Sequence, residues 1–217
     1  MFEPCPPDPV RLAGPRLERR AFIASCAAFG LVGCARADAT PRLPSASASK
    51  LIAAARSQIG VTTSYDPAYS RLAYPGGDVD RAKGVCTDVL IRAYRDAFGI
   101  DLQRAVHEDM SAHFAVYPQR WGLRRPDRNI DHRRVPNLET YWTRQAARQP
   151  LPTSAMGWQP GDVFTMLIDG RLPHTGIVSD QLAANGVPLA IHNIGRGTQE
   201  EDLLTAYPPT GRFRWRI

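Results

Sequence analysis

Beyond residue 40 the chain keeps one cysteine, Cys86, in Gly84-Val85-Cys86-Thr87-Asp88-Val89-Leu90. A histidine follows in Pro173-His174-Thr175-Gly176-Ile177-Val178, and another in Ala190-Ile191-His192-Asn193. A thiol at a helix start sits among unpaired N–H groups and at the positive end of the helix dipole, which favour thiolate and can hold an oxyanion. His174 can take the thiol proton and later return it to a leaving amine. A third group must fix its tautomer: His192 on the next strand, or Asn193 on the opposite face. That chemistry is acyl transfer through a thioester, and it needs no cofactor.

The elements that must position these residues are legible as patterns. Ser49 to Gly60 reads as a short first helix with a serine cap and a terminal glycine. After a loop holding Tyr65, Tyr69 and Tyr74-Pro75-Gly76-Gly77, the positions Val89, Leu90, Ala93, Tyr94, Ala97 and Phe98 recur in phase with Cys86 and end at Gly99. Val163 to Ile168, His174 to Ser179 and Leu189 to Asn193 read as strands, with hairpin signals at Asp169-Gly170 and Asn185-Gly186. Phe213, Trp215 and Ile217 alternate with arginines as a final strand. Helices first and an antiparallel sheet afterwards predict an α+β domain.

Residues 1–39 read as a leader. Arg19-Arg20 precede an apolar stretch from Ala21 to Gly33 that is short for a membrane span and suits a signal-peptide core. Arg-Arg-Ala-Phe-Ile resembles a twin-arginine export motif, with general secretion as the other route. Leu31-Val32-Gly33-Cys34 resembles a lipobox, which would make Cys34 the lipidated N-terminus and anchor the protein to a membrane. Cleavage after Ala39 is the competing reading. Both place the protein in the periplasm or cell envelope. Thr40 to Ser49 is a tether of Pro, Ser and Ala, and 50–217 is one domain. With Cys5, Cys26 and Cys34 all before it, the domain has no disulfide. The whole chain carries +6, and setting aside five basic and four acidic residues before Thr40 leaves +5. That modest excess suits an anionic wall polymer or membrane surface, and with an export signal nucleic acid is excluded as a partner. Oligomeric state is not encoded in any pattern.

The order of these segments resembles the NlpC-type cell-wall cysteine peptidases, a papain-like superfamily. Val85-Cys86-Thr87-Asp88-Val89 stands where those proteins have Asp-Cys-Ser-Gly-Phe, Gln159-Pro160-Gly161-Asp162-Val163 resembles their strand entry, and His174-Thr175-Gly176-Ile177-Val178 their histidine strand. Ala190-Ile191-His192 resembles the strand of their third member. The resemblance implies a papain-like fold, peptidoglycan as the partner, Cys86 as nucleophile, His174 as base and His192 as orienting residue. It also implies a tyrosine near the thiol: Tyr74, with Tyr65 as substitute. Gly84 to Val89, Val106 to Met110 and Asn129 to Leu138 resemble, more closely still, the bacterial family DUF 1287.

Val106 to Gln149 exceeds what such a peptidase core needs and should reshape the cleft. Its arginines, Arg120, Arg124, Arg125, Arg128, Arg133 and Arg134, are interspersed with Asp127, Asp131 and His132. Most are expected on a solvated face with internal Arg–Asp pairs, while Arg133 and His132 are candidates for binding substrate. Asp131, His132, His174 and His192 match no common zinc spacing, so no metal is expected. The functional expectation is a cysteine hydrolase cutting an amide in peptidoglycan. The alternatives are an acyltransferase using the same residues and a catalytically silent wall-binding or scaffold lipoprotein.

Overall fold

The computed structural model describes residues 43–216. The leader, with Cys34 and the cleavage position at Ala39, lies outside the described residues.

Helix α1 (Ala46–Arg56) starts three residues ahead of the expected Ser49 cap, because Ser45 takes that role: its Oγ accepts from the Ala48 N–H at 3.0 Å. Residues 46–49, expected in the tether, are therefore helical. Leu51, Ile52 and Ala55 of α1 pack onto α2 (Cys86–Phe98), which ends at Gly99 in the left-handed conformation (φ 66°). The first nine residues of α2 are buried on every side and not along one stripe. One flank rests on α1 and the sheet; loop 62–84, α3 (Leu102–Ala112) and the single turn Asp131–Arg133 cover the rest. Each large apolar side chain buried here, such as Leu90 or Ile91, contributes about 1.5–3 kcal/mol. α4 (Val135–Arg144), with Pro136 in its first turn, closes the helical layer.

In loop 62–84 two short strands, β1 (Ser64–Tyr65) and β2 (Lys83–Gly84), pair in parallel. The main sheet is antiparallel, in the order β3 (Arg148–Gln149), β8 (Pro209–Phe213), β4 (Val163–Ile168), β5 (Leu172–Leu182), β6 (Pro188–Asn193), β7 (Thr198–Glu201). The α+β expectation holds. β4 and β5 are joined by a three-residue turn, Asp169-Gly170-Arg171, between the paired Ile168 and Leu172, with positive φ at Asp169 (50°) and Gly170 (71°). The last strand stops at Phe213 and does not run on to Trp215. Arg214 instead donates its N–H to Ala147, and Trp215 buries against Tyr94 and Tyr141.

Alternation divides the sheet's faces. Val163, Ile177, Ile191 and Phe213 join the helical core, whereas Phe164, Met166, Val178 and Ala190 meet Trp158, Leu203 and Leu204 on the other side. Gly176 lies on that second face. A Cβ there would stand 2.7 Å from the Phe164 ring and 2.8 Å from the His192 Cβ. No helix among the described residues is long and apolar enough to cross a membrane.

Candidate active site

At the head of α2, the Asp88 carboxylate accepts from the Val85 N–H at 2.7 Å, satisfying one of the helix's orphan donors. The same carboxylate takes a two-point contact from Arg133, Nε to Oδ1 at 2.9 Å and Nη2 to Oδ2 at 2.8 Å, with both side chains almost fully buried. Thr87 Oγ1 donates to the Arg133 carbonyl at 3.0 Å. The two ends of Arg133 thus grip consecutive residues of the helix's first turn. On the incoming side, Asn193 Nδ2 donates to the carbonyls of Gly84 (3.0 Å) and Ser64 (3.3 Å). Below them Arg92, wholly buried, donates to Asp78 (3.0 Å to Oδ2), to Thr62 Oγ1 (3.0 Å) and to the carbonyls of Val79 (3.2 Å), Asp80 (3.3 Å) and Lys83 (3.0 Å).

Two expectations change here. Arg133 does line the cleft onto which Cys86 opens, but Nε and Nη2 of its fork are spent on Asp88, so it positions the cysteine helix and does not offer a bidentate grip to substrate. Asn193 is a staple between β6 and loop 62–84, so it does not orient His174.

Cys86 is 4 % exposed and opens onto a cleft of about 210 Å³ lined by Tyr65, Trp121, Arg134, Pro136 and Pro173 among others. The segment from Val106 to Gln149 supplies much of that wall, and the guanidinium of Arg134 stacks 4.0 Å over the Trp121 ring. The thiol meets β5 at its backbone. β5 pairs with β6 only as far as Ile177, and beyond that point the Thr175 N–H lies near the sulfur. Burial pushes the Cys86 thiol up to about 12, with Asp88 adding to it, against the pull of the N–H groups of Thr175, Thr87 and Cys86 itself. The thiolate expected from the helix start is therefore not the resting form, because desolvation outweighs the helix end.

His174 and His192 come together as expected. His174 Nε2 and His192 Nδ1 are 3.0 Å apart, and the rings meet edge to face with centroids 5.0 Å apart. Both lie on the Phe164 face, where the lack of a side chain at Gly176 leaves them room. Burial holds His174 down at about 3, with the neighbouring ring adding to it, and His192 at about 4 against the opposing pull of Glu201. Both are neutral bases at physiological pH. The structure does not join Cys86 to His174 by a hydrogen bond: the His174 ring lies on the Phe164 face, away from the helical core that α2 packs into, and what approaches the sulfur is the backbone N–H of Thr175, one residue on.

Other candidates fall elsewhere. Tyr74 stacks edge-on to His107 (5.2 Å) under the Arg128 guanidinium and does not line the Cys86 cleft. Tyr65 does, and burial followed by Cys86 and Asp88 pushes its hydroxyl up to about 12. His132 is turned away from the cleft: burial holds it down at about 3, and the charges felt by its ring are Arg133, Asp101, Arg95 and Asp78. Its Nδ1 has no hydrogen-bond partner. Asp131 lies beside Asp127 and Arg134, so the His132 and His174 groups do not share a site. Among the described residues no three His, Cys, Asp or Glu side chains converge to hold a metal.

The arginines of the segment from Val106 to Gln149 divide. Arg133 and Arg134 are paired with Asp88 and Asp131. Arg124, Arg125 and Arg128, with Arg71, line a separate groove of about 830 Å³ and make no ion pair among the described residues. The acid in that groove, Asp127, is occupied by Tyr69 and Asn129.

Sequence reasoning passed over Asp88 and Arg92, whose partners are remote in the chain, and Glu201, whose strand is too polar to read as one. The Asp–Val spacing around a helix cap was the available sign for Asp88: an acid at the third helical position commonly reaches back to the chain entering the helix.

A family profile described as "Domain of unknown function (DUF1287)" matches residues 52–215. The "Uncharacterized protein YijF" of Escherichia coli (strain K12) is 53% identical over 163 residues, covering 75% of this chain and 79% of YijF. No solved structure matches the chain significantly.

Proposed function

The chain belongs to the DUF1287 family, and with its Cys86 helix set against a paired-histidine strand we propose that it is a cell-envelope cysteine hydrolase of NlpC-like, papain-type fold that cuts an amide bond in peptidoglycan. The observation that carries this reading is the 3.0 Å pairing of His174 Nε2 with His192 Nδ1 on the strand whose next backbone N–H lies near the Cys86 sulfur. The pairing occupies one nitrogen of His174 and leaves Nδ1 to move a proton.

In the proposed cycle Cys86 Sγ attacks the amide carbonyl while its proton passes to His174 Nδ1, the two side chains coming into hydrogen-bond contact in the substrate complex, since none joins them at rest. Both groups rest neutral, so the transfer accompanies the attack and does not precede it. N–H groups at the start of α2 hold the oxyanion. The C–N bond breaks as His174 protonates the leaving amine, and His174 then takes a proton from water, whose oxygen attacks the thioester and frees the acid and the thiol. An amine or alcohol in place of that water would make the protein an acyltransferase. The unpaired arginines of the neighbouring groove suit an anionic polymer. Export, and anchoring through Cys34, belong to the same reading.

One observation favours the silent wall-binding alternative: a thiol 4 % exposed and raised to about 12. Digestion of purified peptidoglycan by the domain from Ser45 onward, wild type beside Cys86→Ala, separates the two. Fragments released by wild type alone, identified by mass spectrometry, support the hydrolase and name the bond. No release, together with a Cys86 that iodoacetamide modifies only on unfolding, would leave the binding protein.

A further inference from the structure

We infer that Glu201, on the edge strand β7, sets the proton positions of the histidine pair, so that Glu201, His192 and His174 form one line of groups with fixed protons. The inference rests on the hydrolase reading for its catalytic meaning and on geometry alone for its proton positions. In the β6–β7 register His192 stands opposite Gln199, and Glu201, two residues further on, shares its face as a diagonal neighbour. Glu201 Oε1 lies 3.2 Å from His192 Nε2, a hydrogen-bonding distance although off the ideal angle, and no other partner satisfies that buried nitrogen. The second oxygen, Oε2, is held at 2.6 Å by Arg196 Nη2, which keeps the carboxylate turned toward the ring.

The consequence follows from what each atom can donate. A carboxylate only accepts. Were Nε2 of His192 bare, its lone pair would face the Glu201 oxygen at 3.2 Å, so the proton of His192 sits on Nε2. Nδ1 of His192 is then an acceptor, and the 3.0 Å contact requires His174 to donate from Nε2. The lone pair of His174 is thereby left on Nδ1, the nitrogen that the proposed reaction uses as base. Glu201 touches neither thiol nor substrate; it is a positioning residue acting through two rings.

Glu201→Gln tests this because it reverses the line. With Arg196 keeping the amide oxygen, the NH2 faces His192 Nε2 and donates to it. The His192 proton moves to Nδ1, and His174 must accept at Nε2 and carry its proton on Nδ1. NMR of protein labelled with ¹⁵N in its histidines reads the tautomers directly. The expected result is His174 protonated at Nε2 in wild type and in Glu201→Asp, and at Nδ1 in Glu201→Gln. Peptidoglycan release by Glu201→Gln should fall at least tenfold in kcat with KM unchanged. Wild-type His174 protonated at Nδ1, or the same tautomer in wild type and Glu201→Gln, overturns the inference; the wild-type spectrum alone suffices if the variant does not fold. Tautomers as expected without peptidoglycan cleavage would sink the hydrolase and leave the proton line standing, whereas cleavage with the wrong tautomers would do the reverse.

Discussion

On the helix side of the site Cys86 is held by buried charge: Arg133 on Asp88, with Arg92 gathering loop 62–84 beneath. On the strand side His174 and His192 are neutral rings held by backbone ladders and by the space that Gly176 leaves. The contrast separates two kinds of dependence. A buried ion pair is strongly directional but leaves a stranded charge when one member is removed, whereas a ladder-borne ring depends on shape and on staying uncharged. Cys86 and its helix start should therefore be vulnerable to single substitutions and the histidines to acid.

The largest expected effect is on the helix side. Arg133→Ala strands Asp88 and should destabilise the domain by about 3–5 kcal/mol in urea unfolding. Replacing both, Arg133→Met with Asp88→Leu, should cost clearly less than the sum of the single changes. A loss near 1 kcal/mol for Arg133→Ala would mean that packing, not charge, holds the helix start.

Acid comes next, and its sign follows from the depressed histidines. His174, His192 and His132, held at about 3, 4 and 3, take up protons in the unfolded chain near 6.5 before they do in the folded one. The stability these three rings contribute by staying neutral is full above pH 6.5 and is lost as pH falls toward 4, by up to about 1.4 kcal/mol per pH unit for each ring. Asp131, raised to about 6 by burial, works in the opposite direction between its folded value and the usual carboxylate range, and offsets part of this loss. Urea midpoints at pH 7, 6, 5 and 4 read the slope, and His132→Gln should flatten it by roughly one proton. A flat profile would remove the distinction between the two sides.

Smaller is Gly176→Ala, whose methyl would meet the Ile191 carbonyl at 2.6 Å and both the Phe164 and His192 side chains. A loss of about 1–3 kcal/mol is expected, together with altered His192 ring shifts in NMR. Smallest is Arg124→Glu with Arg125→Glu. Exposed and unpaired among the described residues, they should leave stability within about 0.5 kcal/mol while weakening capture of anionic wall fragments, measured by co-sedimentation.

How much of this could be read from the chain depended on the distance over which each feature is specified. Val163 to Ile168 was legible to the residue because apolar, β-branched and aromatic side chains end at an Asp-Gly turn. Cys86 at the head of its helix and the meeting of His174 with His192 were legible from order and spacing. Tyr74 was preferred to Tyr65 and the structure reverses that order, since the pairing of β1 with β2, which nothing in the pattern announces, holds Tyr65 at the cleft. β7 was missed because Thr198-Gln199-Glu200-Glu201 has no apolar alternation; its place comes from β6 and from the Thr198 N–H bonded to Thr62. Arg133 was read as a ligand fork because its partner, Asp88, is 45 residues away in sequence.

Arg92 carries a last consequence, for motion. Loop 62–84 has little regular structure, the kind of segment that ordinarily frays on its own, yet one sealed guanidinium takes its acceptors from that loop at Thr62, Asp78, Val79, Asp80 and Lys83. Opening the loop alone would leave that cation dry and without acceptors. Amide hydrogens there whose own bonds are internal, such as Lys83 to Asp80 and Thr63 to Ala82, should exchange with solvent at the pace of whole-domain unfolding, making an irregular stretch beside the thiol one of the last parts to let go.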